Sequence, residues 1–255
     1  MKVVFHEIFL ETYTGDPAAS RGRLDYTLSL VREKYTLVKP RPCNEEDVLL
    51  VHRPFHLEDV RRDEAVFQMA LWSAGATIAA ADLAWNGEIG FALCRPPGHH
   101  ASPEACWGFC YFNNVAIAVQ KLLTQGKIEK ALIIDIDLHY GDGTSNIFAA
   151  SPAVAYWHVR GKDRVSFVQN VKDYLEDVQI DLLAVSAGFD RHLQDWGGQL
   201  STEDYRDLGN ILGDFAREKC QGRLFATLEG GYNSRSLGDS ILAFLDGLAG
   251  QAKGS

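Results

Sequence analysis

One stretch, residues 131–144, constrains the fold of this chain more than any other part of its sequence. It begins as an apolar run, which is typical of a strand buried on both faces of a sheet. It then places a carboxylate or an imidazole at every second position, as Asp135, Asp137 and His139. Because alternate side chains of a strand point the same way, the pattern predicts that these three project together at the strand's end. A helix-capping role would account for Asp142 but not for that alternation.

Strand-like and helix-like segments alternate along the whole chain. The predicted strands cover residues 3–9, 35–39, 89–94, 130–138, 154–158, 180–186 and 224–228. The predicted helices cover residues 21–35, 45–51, 64–85, 113–125, 143–150, 166–178, 202–220 and 236–248. This alternation predicts an α/β fold with a central, mainly parallel β-sheet flanked by helices on both faces. We expect a single domain over residues 1–250, followed by a disordered tail or cloning remnant at residues 251–255.

Four of the predicted apolar strands end in polar or glycine-rich sequences. In a parallel sheet the carboxyl ends of the strands lie at one edge, and ligands bind there. One such ending could be an accident, but four of them together are typical of an active site. We therefore expect one site built from residues 95–100, 135–143, 186–190 and 228–232.

The residue types at these strand ends indicate a metal site. Asp137 and His139 share a face and can bind one ion, and Asp190 is the best candidate for a third ligand from another strand. Two carboxylates and one imidazole suit Zn²⁺, with a coordination position left open for water. The oxygen-rich ligand set is also compatible with Fe²⁺ or Co²⁺.

The remaining polar groups suit proton transfer. Histidine as a residue type titrates near neutral pH, so His99 and His100 are candidates to take a proton from water and return one to a leaving amine. We expect Asp135 to orient His99 and Asp142 to orient His100 through the second ring nitrogen. Tyr232, which follows two glycines, is expected to donate a hydrogen bond to a developing oxyanion.

Charge and cysteine content narrow the classes of function. The formal net charge of −9 argues against a nucleic-acid or anionic-membrane partner, because such partners require basic patches. Five cysteines without a disulfide framework, and no signal-peptide or membrane-span pattern, lead us to expect a cytoplasmic protein. Cys106 and Cys110 are expected to be small buried side chains and not zinc ligands.

Five motifs resemble, in the same order, the zinc-dependent histone deacetylase superfamily, and above all its class II and bacterial deacetylase-like branch. They cover residues 95–101, 108–114, 135–139, 186–190 and 228–232. The resemblance implies the arginase/deacetylase fold and a zinc-dependent deacetylase. It gives the metal, proton-transfer and oxyanion roles to the same residues that are named for them above. It further implies a structural K⁺ near Asp135, Asp137 and His139.

The substrate channel is where the chain departs from this family. The resemblance places Gly108 and Phe109 in the wall of a channel that admits an acylated amine. The segment before Asp190 is short and lacks the family's Gly-Thr-Gly loop and second aromatic wall residue. We expect Trp196 to replace part of that wall, and Gly231 to contribute to substrate binding.

These observations lead to a metal-dependent amidohydrolase that removes an acetyl or other acyl group from an amine. Acetyl-lysine, an acetylpolyamine and a small metabolite all remain open as substrates, and the oligomeric state is not predicted. Two alternatives stand beside this reading. One is a module that binds acylated amines without turning them over, and the other is a ureohydrolase-like enzyme of the same fold with two manganese ions.

Overall fold

The computed structural model describes residues 1–250 and shows a seven-stranded, fully parallel sheet in the order β2-β1-β3-β7-β6-β4-β5. The strands are β1 Lys2–Val4, β2 Leu37–Val38, β3 Gly90–Ala92, β4 Ala131–Asp135, β5 Val154–His158, β6 Leu182–Ala187 and β7 Leu224–Leu228. The predicted α/β class and parallel sheet are confirmed. The predicted tail at residues 251–255 lies outside the described residues.

The α-helices connect these strands. They are α1 Asp25–Lys34, α2 Glu45–Val48, α3 Pro54–Arg61, α4 Glu64–Trp85, α5 Asn114–Thr124, α6 Asp142–Phe148, α7 Arg164–Leu175, α8 Thr202–Lys219 and α9 Ser234–Leu248. Helices α4 and α5 pack together against the middle of the sheet, while α7, α8 and α9 form a second packed group with α1. Every residue of β4, β6 and β7 is buried, as expected for a sheet covered on both faces.

Helix α4 is the most apolar helix of the described chain. By length and composition alone it could cross a membrane, but 67% of its apolar window is buried inside the protein. A core helix of a water-soluble protein passes the same test, so this finding is weak evidence for a membrane span.

Several predicted boundaries differ from the structure. The first strand ends at Val4, and a short 3₁₀ helix, Glu7–Leu10, replaces its predicted second half. Helix α3 was not predicted; it begins with Pro54 at its first position, where the missing N–H costs nothing. Helix α1 begins only at Asp25, later than expected.

The most consequential difference concerns the central strand. Strand β4 ends at Asp135, so the pleat of a strand does not align Asp137 and His139 with it. Instead the chain turns: the backbone N–H of Asp137 donates to Oδ1 of Asp135 (3.0 Å), and that of His139 donates to Oδ1 of Asp137 (2.9 Å). These side chain-to-backbone bonds compete with the ladder and stop the strand. The expected convergence is therefore produced by turns and not by strand alternation.

Candidate active site

A narrow cavity of about 150 Å³ opens at the carboxyl edge of the sheet. Its walls come from the segments that follow β3, β4, β6 and β7, which are the strand endings that the sequence singled out. The lining residues are Pro97, His99, His100, Trp107, Gly108, Phe109, His139, Trp196, Gly230 and Tyr232.

Three side chains at this edge could hold a metal ion. The ligand atoms of Asp137, His139 and Asp190 all lie within 4.8 Å of one another. Nδ1 of His139 lies 3.0 Å from Oδ2 of Asp190 and 3.3 Å from Oδ1 of Asp137. Oδ2 of Asp190 is buried, and among the described residues only Nδ1 of His139 faces it as a donor. A buried carboxylate oxygen with so little compensation is costly, and a cation would satisfy it.

Backbone amides fix the two carboxylates in place. Asp137 accepts from the N–H of Gly230 (2.8 Å), and Asp190 accepts through Oδ1 from the N–H of Leu138 (3.0 Å). Glycine is required where the backbone comes this close. A Cβ added at Gly188 would lie 2.1 Å from Oδ2 of Asp137, and one at Gly230 would lie 2.6 Å from it.

The electrostatics of the cluster also favour a cation. Burial and the charge of Asp137 together raise the pKa of Asp190 to about 6. Hydrogen bonds to Asp137 and Asp190 raise the pKa of His139 to about 10. Two buried carboxylates repel each other, so they favour any positive charge that lies between them. A divalent cation would supply that charge with the imidazole in its neutral, ligating form.

Two histidine–carboxylate pairs stand beside the cluster, as predicted. Nδ1 of His99 lies 3.0 Å from Oδ2 of Asp135, and Nδ1 of His100 lies 2.7 Å from Oδ1 of Asp142. The two imidazole rings are 4.1 Å apart between centroids. Both histidines are at most 4% exposed, so their second nitrogens are presented to the cavity and not to bulk water.

The two imidazoles differ in their tendency to ionise. Burial and the neighbouring His99 lower the pKa of His100, although the hydrogen bond and charge of Asp142 act in the opposite direction. Burial also lowers the pKa of His99, but the charges of Asp137 and Asp135 outweigh it and hold the pKa well above its ordinary value. A cation bound at Asp137 would oppose the effect of that carboxylate. Because its pKa is lowered, His100 is neutral near pH 7, as a general base must be.

Tyr232 forms another wall of the cavity. Its ring stacks on Trp196 at 4.0 Å between centroids and meets the edge of Phe109 at 6.0 Å. Its backbone N–H donates to Oδ2 of Asp195 (2.7 Å), which fixes the loop that carries it. Burial raises the pKa of Tyr232, so its hydroxyl is a neutral donor at neutral pH.

The predicted substrate-binding residues are only partly at the cavity. Gly108 and Phe109 line it, both with positive φ, and a Cβ at Gly108 would lie 2.5 Å from the His100 ring. Trp196 lines it as well, whereas Gly231 does not. The Cα of Gly231 faces the core side chains behind the loop, and its carbonyl accepts from Nε of Arg23 (2.8 Å). Its neighbour Gly230 takes the lining position instead.

The structure adds residues that sequence reasoning missed. Trp107 lies 3.9 Å from the His100 ring between centroids, and its Nε1–H donates to Oδ2 of Asp142 (2.9 Å). Its position directly before a predicted channel glycine could have revealed it. Tyr156 donates to Oδ2 of Asp135 (2.9 Å), but nothing in its strand-like sequence context signals this contact.

Glu229 is another residue that the sequence could have revealed, because its carboxylate directly follows the apolar strand β7. It is fully buried and accepts from the backbone N–H groups of Gly98 (2.6 Å) and His99 (3.2 Å) and from the hydroxyl of Ser186 (3.1 Å). Burial raises its pKa to about 7. Its hydrogen bonds fix the backbone segment that carries His99 and His100.

The cysteines, and the histidines His52 and His56, lie outside the cavity lining. All five cysteines are free thiols; Cys110 is buried and Cys106 is half-buried. His52 accepts from the N–H of Asn113 (2.9 Å), and Nε2 of His56 contacts the carbonyl of Tyr111 (2.8 Å). Cys110 lies close enough to His99 and Glu229 to form a second three-residue cluster. Glu229 already accepts hydrogen bonds from Gly98, His99 and Ser186, so its carboxylate does not need an ion for compensation.

The fold and site place the chain among α/β proteins whose functional groups gather at the carboxyl edge of a parallel sheet. The sequence model of the histone deacetylase domain matches residues 18–167 and 162–248. The chain therefore belongs to the histone deacetylase family, and the resemblance found in its motifs is confirmed.

Individual relatives agree with this assignment. A probable deacetylase of Archaeoglobus fulgidus is 31% identical over 91% of this chain and 81% of its own length. A polyamine deacetylase of Danio rerio is 28% identical over 84% of this chain but only 41% of its own length. The crystal structure of the HD domain of HDA15 superposes with a TM-score of 0.86 at 25% identity, over 98% of this chain and 90% of that one.

Proposed function

We propose that the chain is a metal-dependent amidohydrolase that removes an acetyl or related acyl group from an amine. Membership of the histone deacetylase family supports deacetylase activity in general. The observation that carries the finer proposal is the buried Oδ2 of Asp190, which only Nδ1 of His139 faces, in a three-ligand cluster beside two histidine–carboxylate pairs. Each of these features has a task in amide hydrolysis.

The donor set fits a divalent transition metal. Asp137, His139 and Asp190 would hold it, and two oxygens with one nitrogen suit Zn²⁺, with Fe²⁺ or Co²⁺ as further candidates. Such a metal supplies Lewis acidity, which polarises a carbonyl and makes water more acidic.

The protein groups would divide the proton transfers between them. His100, neutral and oriented by Asp142, takes a proton from the attacking water. The hydroxyl of Tyr232 donates a hydrogen bond to the carbonyl oxygen as negative charge develops on it. The amine nitrogen leaves with a proton returned by the pair of His99 and His100. Asp135 keeps the ring of His99 in the orientation that this transfer needs.

The cavity favours a thin, extended amine as substrate. About 150 Å³ between aromatic rings suits an acyl group on a methylene chain, and apolar walls remove water from it. Some relatives are named histone deacetylases and others polyamine deacetylases. Acetyl-lysine peptides and acetylpolyamines are therefore the first two substrate classes to assay, with longer acyl chains and small acetylated metabolites after them. The absence of nucleic-acid and membrane partners and the cytoplasmic location remain predictions.

The first experiment measures bound metal and hydrolysis together. We expect the purified protein to hold stoichiometric zinc and to hydrolyse at least one member of this substrate panel. Asp190→Ala should lose both the metal and the activity, whereas Asp177→Ala, which removes an exposed carboxylate remote from the cavity, should keep both. Retained zinc in Asp190→Ala would mean that the third ligand is wrongly chosen.

The same measurements separate the two alternatives. A binding module would retain acylated amines without releasing acetate from any of them. A ureohydrolase-like enzyme would hold two manganese ions per chain, for which additional bridging carboxylates and histidines would be needed.

A further inference from the structure

The side chain of Arg191 packs against the loop that carries the candidate metal ligands. It follows Asp190 directly, and only 7% of its surface is exposed. Its Nε–H group lies 3.1 Å from the carbonyl oxygen of Asp137 and 3.3 Å from that of Ile136. Its Nη2 donates to the carbonyl of Leu138 (3.4 Å). One guanidinium therefore binds three consecutive carbonyls of the ligand loop.

The same guanidinium also holds the segment that follows β5. Nη2 donates to the carbonyl of Val159 (3.4 Å), and Nη1 donates to Oε1 of Gln199 (2.9 Å). Gln199 in turn donates to the carbonyl of Gly161 (3.0 Å). The guanidinium stacks over the ring of Phe167 at 4.8 Å. Its contacts thus join the ligand loop to the segment after β5, beyond the last backbone bond between them, from the N–H of Val159 to the carbonyl of Asp135.

The neighbouring oxygens are engaged as well. Nε2 of His158 contacts the same carbonyl of Asp137 (2.9 Å) and also lies 3.3 Å from Nη2 of Arg191. The carbonyl of Asp135 accepts from the N–H of Val159 (2.9 Å), and its Oδ1 accepts from the N–H of Asp137. Oδ2 of Asp135 accepts from Tyr156. These are among the oxygens that a cation at this place would need.

A monovalent cation near Asp135, Asp137 and His139 is what the family resemblance implies, and the residues present do not fit it. Such an ion would be held by several main-chain carbonyls at once, as K⁺ is in carbonyl cages. Here a permanently charged guanidinium already donates to the carbonyl of Asp137 and to the carbonyls on either side of it in charge-assisted hydrogen bonds. We propose that Arg191 is the structural cation of this loop and that it takes the place of K⁺. The protein then needs no monovalent ion to order its metal-ligand loop.

Thermal unfolding of the purified, metal-loaded protein tests this without reference to catalysis. KCl is titrated against choline chloride at constant ionic strength, so that only an effect specific to K⁺ changes the Tm. We expect the wild-type Tm to be the same in both salts. Arg191→Met removes the charge at nearly constant length, and we expect a drop in Tm of roughly 5–10 °C in choline chloride. Part of that loss should be recovered by K⁺, because binding to the folded state alone stabilises it.

Arg160→Met is the matched control, because Arg160 lies one residue beyond Val159 but is exposed. It should unfold at the wild-type Tm in both salts. If Arg191→Met does not fold, Arg191→Lys restores a positive charge and should be folded and insensitive to K⁺. A saturable, K⁺-specific rise in the wild-type Tm would overturn the proposal. So would an Arg191→Met variant as stable as wild type in the absence of K⁺. Both outcomes are independent of whether the protein deacetylates any substrate.

Discussion

The floor of the cavity and its mouth are built in opposite ways. On the floor, Asp137 and Asp190 are at most 1% exposed and are fixed by backbone amides. At the mouth, Trp107 and Trp196 are 56% and 53% exposed and are held mainly by ring stacking. From this difference we expect the chemistry to reside in the floor and substrate selection in the mouth. Changes on the floor should lower kcat, and changes at the mouth should chiefly alter KM.

Of the kinetic changes predicted from this comparison, we expect the largest from Tyr232→Phe. This substitution removes one hydroxyl and keeps the ring. We expect kcat to fall by about 10²–10³, the scale for losing one oxyanion donor, with little change in KM. Steady-state kinetics on the best substrate of the panel measures this effect. Tyr140→Phe, at an exposed tyrosine outside the cavity, should keep wild-type kinetics. An active Tyr232→Phe enzyme would remove this residue from the mechanism.

A smaller effect on the floor should come from Asp142→Asn. We expect kcat to fall by about 10–100-fold, because the ring of His100 loses its orienting partner. In the wild type, kcat/KM should fall as acid protonates His100, at a pH below the ordinary histidine pKa because burial lowers that pKa. Asp142 raises this pKa, so the variant should move the acid limb to still lower pH. An acid limb that stays in place or moves to higher pH would contradict the assignment of His100 as base.

At the mouth, Trp196→Ala should raise KM by roughly 2–10-fold, the loss of one aromatic contact of about 0.5–1.5 kcal/mol. The kcat value should change less, since Tyr232 keeps its backbone anchor at Asp195. Leu193→Ala, at an equally exposed residue of the same loop, is the control. Unchanged KM and kcat would count against a role for Trp196 in the channel wall.

The smallest expected effect, and the finest test of the boundary between floor and mouth, is Trp107→Phe. The ring remains over His100, but the hydrogen bond from Nε1 to Asp142 is lost. We expect a decrease in kcat of about 2–4-fold, the scale of one partly exposed hydrogen bond. Trp157→Phe, at an indole stacked on Tyr174 away from this cavity, should leave kcat unchanged. A change in KM alone would assign Trp107 wholly to the mouth.

The sequence located the residues of the floor more completely than those of the mouth, for a physical reason. Floor residues such as Asp137 and Asp190 follow buried strands, and strand order alone brings such endings together. Loop geometry decides the mouth, and periodicity carries no information about it. This is why Gly231 was expected where Gly230 lies, and why Trp107 was not singled out. The prediction also extended strand β4 too far. Ile136 continues the apolar run past the turn at Asp135, so the sequence pattern does not show where the strand ends.

The inward position of the Arg191 side chain could not be predicted from the sequence either. Its partners are main-chain carbonyls, which every sequence offers, so no residue pattern announces the contact. An arginine after Asp190 is most simply taken as a surface residue. Only the path of the loop after β6 shows that this side chain turns inward.

The tight approach of Gly188 and Gly230 to Asp137 has a practical meaning for anyone who redesigns this protein. Even an alanine methyl group at either position would collide with the carboxylate, so randomised libraries should leave both codons untouched. We expect more tolerance at the exposed Trp196, which is not one of the candidate metal ligands. Variation at this position is therefore the first route to a changed substrate preference that leaves those ligands in place.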